Sequence, residues 1–150
     1  MQSTHDPHRP VDDSFAEESL TMHHAVPMTS YETRLNATTT DAPDFVDMTD
    51  QIISAVETSG INHGRATVFT ADESCSIMVN ERESGLLSDI KKAIERLAGS
   101  NGSRSVVGSQ SVVLPVVDGK LRLGTWQRVL LVELDQASER ALDIHIIGER

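Results

Sequence analysis

Asp118-Gly119 lies between two apolar runs, VVLPVV and KLRLG. An Asp-Gly pair accepts the positive φ angles of a two-residue hairpin turn, so these runs read as an antiparallel β-hairpin. The next run, QRVLLVEL, is apolar almost without a break and predicts a strand buried on both faces. ALDIHIIG then alternates Leu142, Ile144 and Ile146 with Asp143 and His145, the period of a half-buried strand. The last third of the chain is therefore sheet, and the residues before it must supply its cover.

Upstream, SYETRLNATT predicts an extended strand with Tyr31, Thr33 and Leu35 on one face. Asp41 to Asp44, containing Pro43, predicts a turn. DMTDQIISAVETSG predicts a helix with Asp47 as N-cap, Ile52, Ile53 and Val56 as its apolar stripe, and Gly60 as its stop. ATVFT and CSIMVN are β-rich runs separated by Ala71-Asp72-Glu73. SGLLSDIKKAIERLAG predicts a second helix, capped by Ser84 and ended by Gly99. Its Leu86, Leu87, Ile90, Ile94 and Leu97 share one face and are expected in the core, with Lys91, Lys92 and Arg96 in solvent. SNGSRS, residues 100–105, reads as a flexible linker. Two helices among hairpin-linked strands make an α+β fold with a mixed or antiparallel, sandwich-like sheet.

At 150 residues the chain has room for one domain of ordinary size. Residues 1–27 are polar and acidic, with Pro7 and Pro10, and cannot bury enough surface to offset their ordering entropy. They are expected to be a disordered tail, with the folded domain at 28–150. The tail histidines His5, His8, His23 and His24 match no closed metal site and are read as solvated. A net charge of −10 argues against nucleic acid and anionic membranes. No apolar run reaches the roughly 18 residues of a membrane span, and the start lacks a signal-peptide pattern. The single cysteine, Cys75, excludes an intramolecular disulfide; the chain is read as cytoplasmic, with Cys75 an inert buried thiol rather than a nucleophile.

The lone tryptophan falls in Gly124-Thr125-Trp126-Gln127. An indole contributes a large apolar area and an N–H that needs a partner. Trp126 could plug one end of the sheet, sit in a subunit interface or contact a ligand. Gln127 and Glu133 could line a pocket or satisfy buried polar backbone.

The segment VVLPVVDGKLRLGTWQRVLLVELD, residues 112–135, resembles the signature of the YjbQ family, small proteins often labelled secondary thiamine-phosphate synthase. SGINHGRATVF, the strand end IMVNE, Asp89 and Arg140 with DIHIIGE extend the similarity over residues 28–150. The resemblance implies a YjbQ-like fold, a homotrimer with sites near subunit boundaries, and a small-molecule ligand. It implies catalytic roles for Asp72, Glu81 and Gln127, and substrate contacts from Trp126, Asn80 and Glu133.

The resemblance also places a family histidine where Asp72 stands, and further histidines in a segment that here reads GSNGSRSVVGSQ, residues 99–110. Imidazole serves as a metal ligand or as a base near neutral pH, which a carboxylate reproduces poorly. Thiamine-phosphate synthesis joins a pyrimidine pyrophosphate to a thiazole phosphate. Such anions are held by cations, N–H nests or metals, not by acidic residues such as Asp72, Glu73 and Glu81. Catalysis is therefore expected to be weak or lost; the alternative is a non-catalytic oligomeric scaffold or regulatory protein. No cofactor is assigned; Mg²⁺ on Asp72, Glu73 and Glu81 is the one metal these carboxylates suggest. His63 and His145 are expected to be structural or solvent-facing.

Overall fold

The computed structural model describes residues 25–97 and 107–150. Its elements run β1 (Thr29–Thr38), β2 (Asp44–Asp47), α1 (Thr49–Ser59), β3 (His63–Phe69), β4 (Cys75–Glu81), α2 (Ser84–Leu97), β5 (Ser111–Val117), β6 (Lys120–Leu121), β7 (Gln127–Glu133) and β8 (Glu139–Glu149). A five-stranded sheet has the order β1-β8-β3-β5-β6, and a three-stranded sheet the order β2-β7-β4. Among the described residues every strand pairing is antiparallel. The fold is α+β, and the mixed-sheet alternative drops out.

The Asp-Gly turn is where the sequence puts it. Asp118 and Gly119 have φ of 53° and 70°, and Val116 faces Leu121 across the hairpin. The predicted tail, linker and Gly99 stop lie wholly or mostly outside the described residues; residues 25–28 carry no regular structure.

The sheets face each other across one core. Val129 and Leu131 of β7 and Ile77 of β4 meet Ala66, Val68, Leu114, Val116, Leu142, Ile144 and Ile146, with Ile52, Ala55 and Val56 of α1 packed among them. Val132 of β7 points the other way and packs with Met78, Phe45, Ile90 and Ile94 under α2. β7 is therefore buried on both faces, as its unbroken apolar run predicts.

Three local expectations change. Helix α1 begins at N-cap Met48, which makes no side-chain cap bond; the Asp47 carboxylate accepts the Thr49 N–H at 3.0 Å from one position earlier. Helix α2 is capped by Glu83, not Ser84: its carboxylate accepts the Gly85 and Leu86 N–H groups at 2.9 and 2.7 Å. An anion there also suits the positive end of the helix dipole. On α2 only Ile94 is buried; Leu86, Leu87 and Ile90 are half-buried and Leu97 is 57% exposed. The three-stranded sheet offers a narrow apolar floor, so the helix covers part of its stripe. Strand β2 was not expected: DFVD is too short to announce itself and forms because Phe45 and Val46 pair with Val132 and Leu131. Among the described residues, no helix is long and apolar enough to cross a membrane.

Candidate functional site

The expected site residues divide between the two ends of β4 and β7. Cys75 faces Glu133 at one end, and Glu81 faces Gln127 at the other. Six residue steps at about 3.3 Å each separate the ends by about 20 Å. Asp72 and Glu133 belong to the first end; Glu81, Asn80, Gln127 and Trp126 belong to the second.

At the first end Glu133 shares the inward parity of Val129 and Leu131 and is fully buried. Arg140 shares the inward parity of Leu142, Ile144 and Ile146 on β8. Its Nε donates to Glu133 Oε2 at 2.6 Å and its Nη2 to Oε1 at 3.1 Å. Its Nη1 donates to Asp72. The Thr39 hydroxyl, the Asp135 N–H and the Cys75 thiol also donate to Glu133, at 3.1, 3.1 and 3.5 Å. Burial pushes the Glu133 carboxyl up, but the Arg140 guanidinium and the Asp135 and Thr39 donors outweigh it and hold the group below the usual carboxylate range. Burial, reinforced by the Glu133 charge, pushes the Cys75 thiol up to about 12, so it carries no thiolate at neutral pH. Asp72 is also a turn residue: its Oδ1 accepts the Ser74 N–H and its carbonyl the Cys75 N–H.

The second end is organised by Gly124–Gln127. The Gln127 N–H bonds to the Gly124 carbonyl at 3.0 Å, and the Gln127 side-chain Oε1 accepts the Gly124 N–H at 2.7 Å. Gln127 thus locks the turn rather than projecting into a cavity, and Trp126 is carried on it 74% exposed. Among the described residues the indole plugs no gap in the sheets. It lines an open cavity of about 460 Å³ with Glu81, Arg82, Glu83, Thr125 and Arg128. Asn80 bonds locally, its Oδ1 accepting the Glu81 N–H at 2.8 Å.

Below this cavity Arg128 donates to Asp47 at 2.7 Å and Asp50 at 3.1 Å, with Arg82 3.6 Å from Asp47. Burial raises Asp47, but Thr49 and Arg128 outweigh it and leave the carboxyl lowered.

The proposed Mg²⁺ set does not assemble. Asp72 is engaged by Arg140 at one end of β4, and Glu81 lies at the other. Among the described residues, no group of three or more His, Cys, Asp or Glu side chains could hold a metal. His63 lies 3.6 Å from Asp118 and His145 3.7 Å from Glu32, both on the five-stranded sheet and away from this strand pair. The four N-terminal histidines lie outside the described residues.

Sequence reasoning gave Arg140 no role, though a signal existed. An arginine in phase with the core-facing residues of β8 requires a buried counter-charge, and Glu133 is in phase with the core-facing residues of β7. The Asp47–Arg128 pair carried no such signal, because β2 itself was unforeseen.

These features define an antiparallel two-sheet α+β domain in which a core-facing arginine joins two carboxylates. The family described as UPF0047 protein YjbQ-like matches residues 33–149, and the chain belongs to that family. A UPF0047 protein of Methanothermobacter thermautotrophicus is 30% identical over 136 residues, covering 81% of this chain and 95% of its own. A UPF0047 protein of Archaeoglobus fulgidus is 36% identical over 106 residues, covering 61% and 82%. The crystal structure of a YbjQ-like protein of unknown function from Sulfolobus solfataricus P2 superposes with a TM-score of 0.77 at 34% identity, covering 82% of this chain and all of that one.

Proposed function

We propose that this chain is a self-assembling YjbQ-family protein whose thiamine-phosphate synthase-like catalysis is weak or lost. The observation that carries the reading is the engagement of both Asp72 and Glu133 by Arg140. Glu133, held below the usual carboxylate range, is a poor proton acceptor, and Asp72, already engaged by Arg140, stands where the family resemblance implies an imidazole. The Glu81–Gln127–Trp126 group lies about 20 Å away along the strands, so one chain does not concentrate its polar side chains on one substrate.

The non-catalytic alternative, a scaffold or regulatory oligomer, is favoured by a separate observation. Trp126 is presented outward on a turn closed by two hydrogen bonds. Aromatic residues held rigidly at a surface are typical anchors of protein interfaces. A homotrimer, implied by the family resemblance, gives that anchor a partner. A cytoplasmic setting agrees with the single cysteine.

The test is an assay of the purified full chain with the pyrimidine pyrophosphate and the thiazole phosphate, with and without divalent cation, beside a histidine-complete relative. The expected result is product formation far below the relative's. Equal rates would overturn the reading.

A further inference from the structure

We propose that β1 is a self-association edge that pairs antiparallel with β1 of a second copy about a two-fold axis at Thr33. β1 is the outermost strand of the five-stranded sheet and is ten residues long. Among the described residues it pairs only with β8, so its other edge has no strand partner. A long open edge presents a row of backbone donors and acceptors that another strand can take up.

The occupant is read from the sequence of β1, TSYETRLNAT. Glu32 and Arg34 flank Thr33, and both point to the exposed face of the sheet. Turned upon itself about Thr33, the strand sets Glu32 opposite Arg34 of the second copy, and Arg34 opposite its Glu32. On the partly buried face, Tyr31 falls opposite Leu35. Ser30 meets Asn36 and Thr29 meets Ala37, so no like charges oppose. The neighbouring registers that keep the same faces together are worse. Centring on Glu32 sets two glutamates against each other, and centring on Arg34 sets two arginines. Directly opposed opposite charges favour a register and like charges penalise it, so the charge pattern selects Thr33.

Within one chain Arg34 already bonds Asp143 at 2.7 Å, and Glu32 lies 3.7 Å from His145. The incoming Glu32 adds an acceptor to a guanidinium that is still largely exposed. A two-fold contact is isologous and closes on itself. It is independent of the threefold assembly above: alone it gives a dimer, and with a threefold it gives a hexamer.

Two experiments on the full chain test this. The first is native mass in dilute solution. The expected species contain an even number of copies. Arg34→Glu should raise the dissociation constant of the two-fold contact about tenfold or more, because symmetry repeats the lost pair. Combining Arg34→Glu with Glu32→Arg should restore it, while circular dichroism shows each variant folded. The second is oxidative cross-linking. Paired Cα atoms at about 4.5–5.5 Å admit a disulfide, so Thr33→Cys should link two copies. Ser30→Cys should not, since its two copies lie about 20 Å apart in this register. Cys75 is buried and stays out of the reaction. A monomer, an exclusively odd assembly, no rescue by the charge swap, or equal cross-linking at both positions would each overturn the proposal.

Discussion

Arg140 grips Glu133 with two guanidinium nitrogens, at 2.6 and 3.1 Å, and Glu133 has no exposed surface. A third nitrogen reaches Asp72, so one cation serves two carboxylates. Removing one partner of a buried pair strands the other charge. Arg140→Met should therefore lose about 3–5 kcal/mol of stability, measured by urea denaturation. Replacing both partners, Arg140→Met with Glu133→Leu, should recover most of that loss. A double variant as unstable as the single one would show that the pair itself, rather than the stranded charge, sets the cost.

The same pair makes stability depend on pH in a defined direction. Glu133 is held below the usual carboxylate range when folded. A depressed folded pKa contributes stability that is present above the unfolded value, about 4.3, and lost as pH falls through the folded one. Asp47, lowered through Thr49 and Arg128, adds to the effect in the same direction. Urea midpoints should hold steady between about pH 6 and 5 as far as these groups are concerned, and fall below about pH 4. Glu133→Gln should flatten part of that acid limb; an unchanged slope would remove Glu133 from the account.

Local signals carried most of the fold. The Asp118-Gly119 turn needs only the two residues that adopt positive φ, and the alternation of Leu142, Ile144 and Ile146 needs only a sheet with a buried face. What failed was non-local. Four-residue β2 exists because β7 receives it. The periodicity of α2 says that an apolar face exists but not how much sheet lies beneath it, and Leu97 overshoots that floor. The site divides likewise. Glu81 and Gln127 face each other through strand register. Asp72, Glu133 and Arg140 meet only when the two sheets close: the phase of Arg140 and Glu133 says that each faces the core, but not that they face each other or Asp72.

Cys75 should be inert. Its thiol is buried and its pKa is pushed up to about 12, so an aromatic disulfide reagent at about pH 8 finds no thiolate in the folded chain. Labelling should be slow in buffer and rapid in denaturant. Fast labelling of the native protein would mean that the Cys75–Glu133 end of β4 opens readily.

Gly64 and Gly148 face each other across β3 and β8. A Cβ on Gly64 would lie 2.1 Å from the Ile147 carbonyl oxygen, and one on Gly148 would lie 2.1 Å from that of His63. Both obstacles are backbone, so neither can rotate away. Gly64→Ala and Gly148→Ala should each cost roughly 1–3 kcal/mol or more, the range for overpacking a tight interior. Thermal melts followed by circular dichroism would measure it. A cost near zero would mean that the two strands separate without penalty at this point.

Trp126 offers the sharpest contrast between a core role and a surface one. Truncating a buried tryptophan costs about 3–5 kcal/mol, whereas most surface substitutions stay within about 0.5 kcal/mol. At 74% exposure, Trp126→Ala should fall in the second class when the chain is dilute, read by circular dichroism in urea. Because the chain has one tryptophan, its fluorescence reports this position alone. The dilute protein should be readily quenched by acrylamide, and protection should appear as concentration rises if assembly covers the indole. Gln127→Ala removes the acceptor of the Gly124 N–H and should loosen the turn, lowering the fluorescence anisotropy while leaving the sheets intact. A large stability loss from Trp126→Ala in dilute solution would place the indole in the core after all and remove the anchor on which the scaffold reading rests.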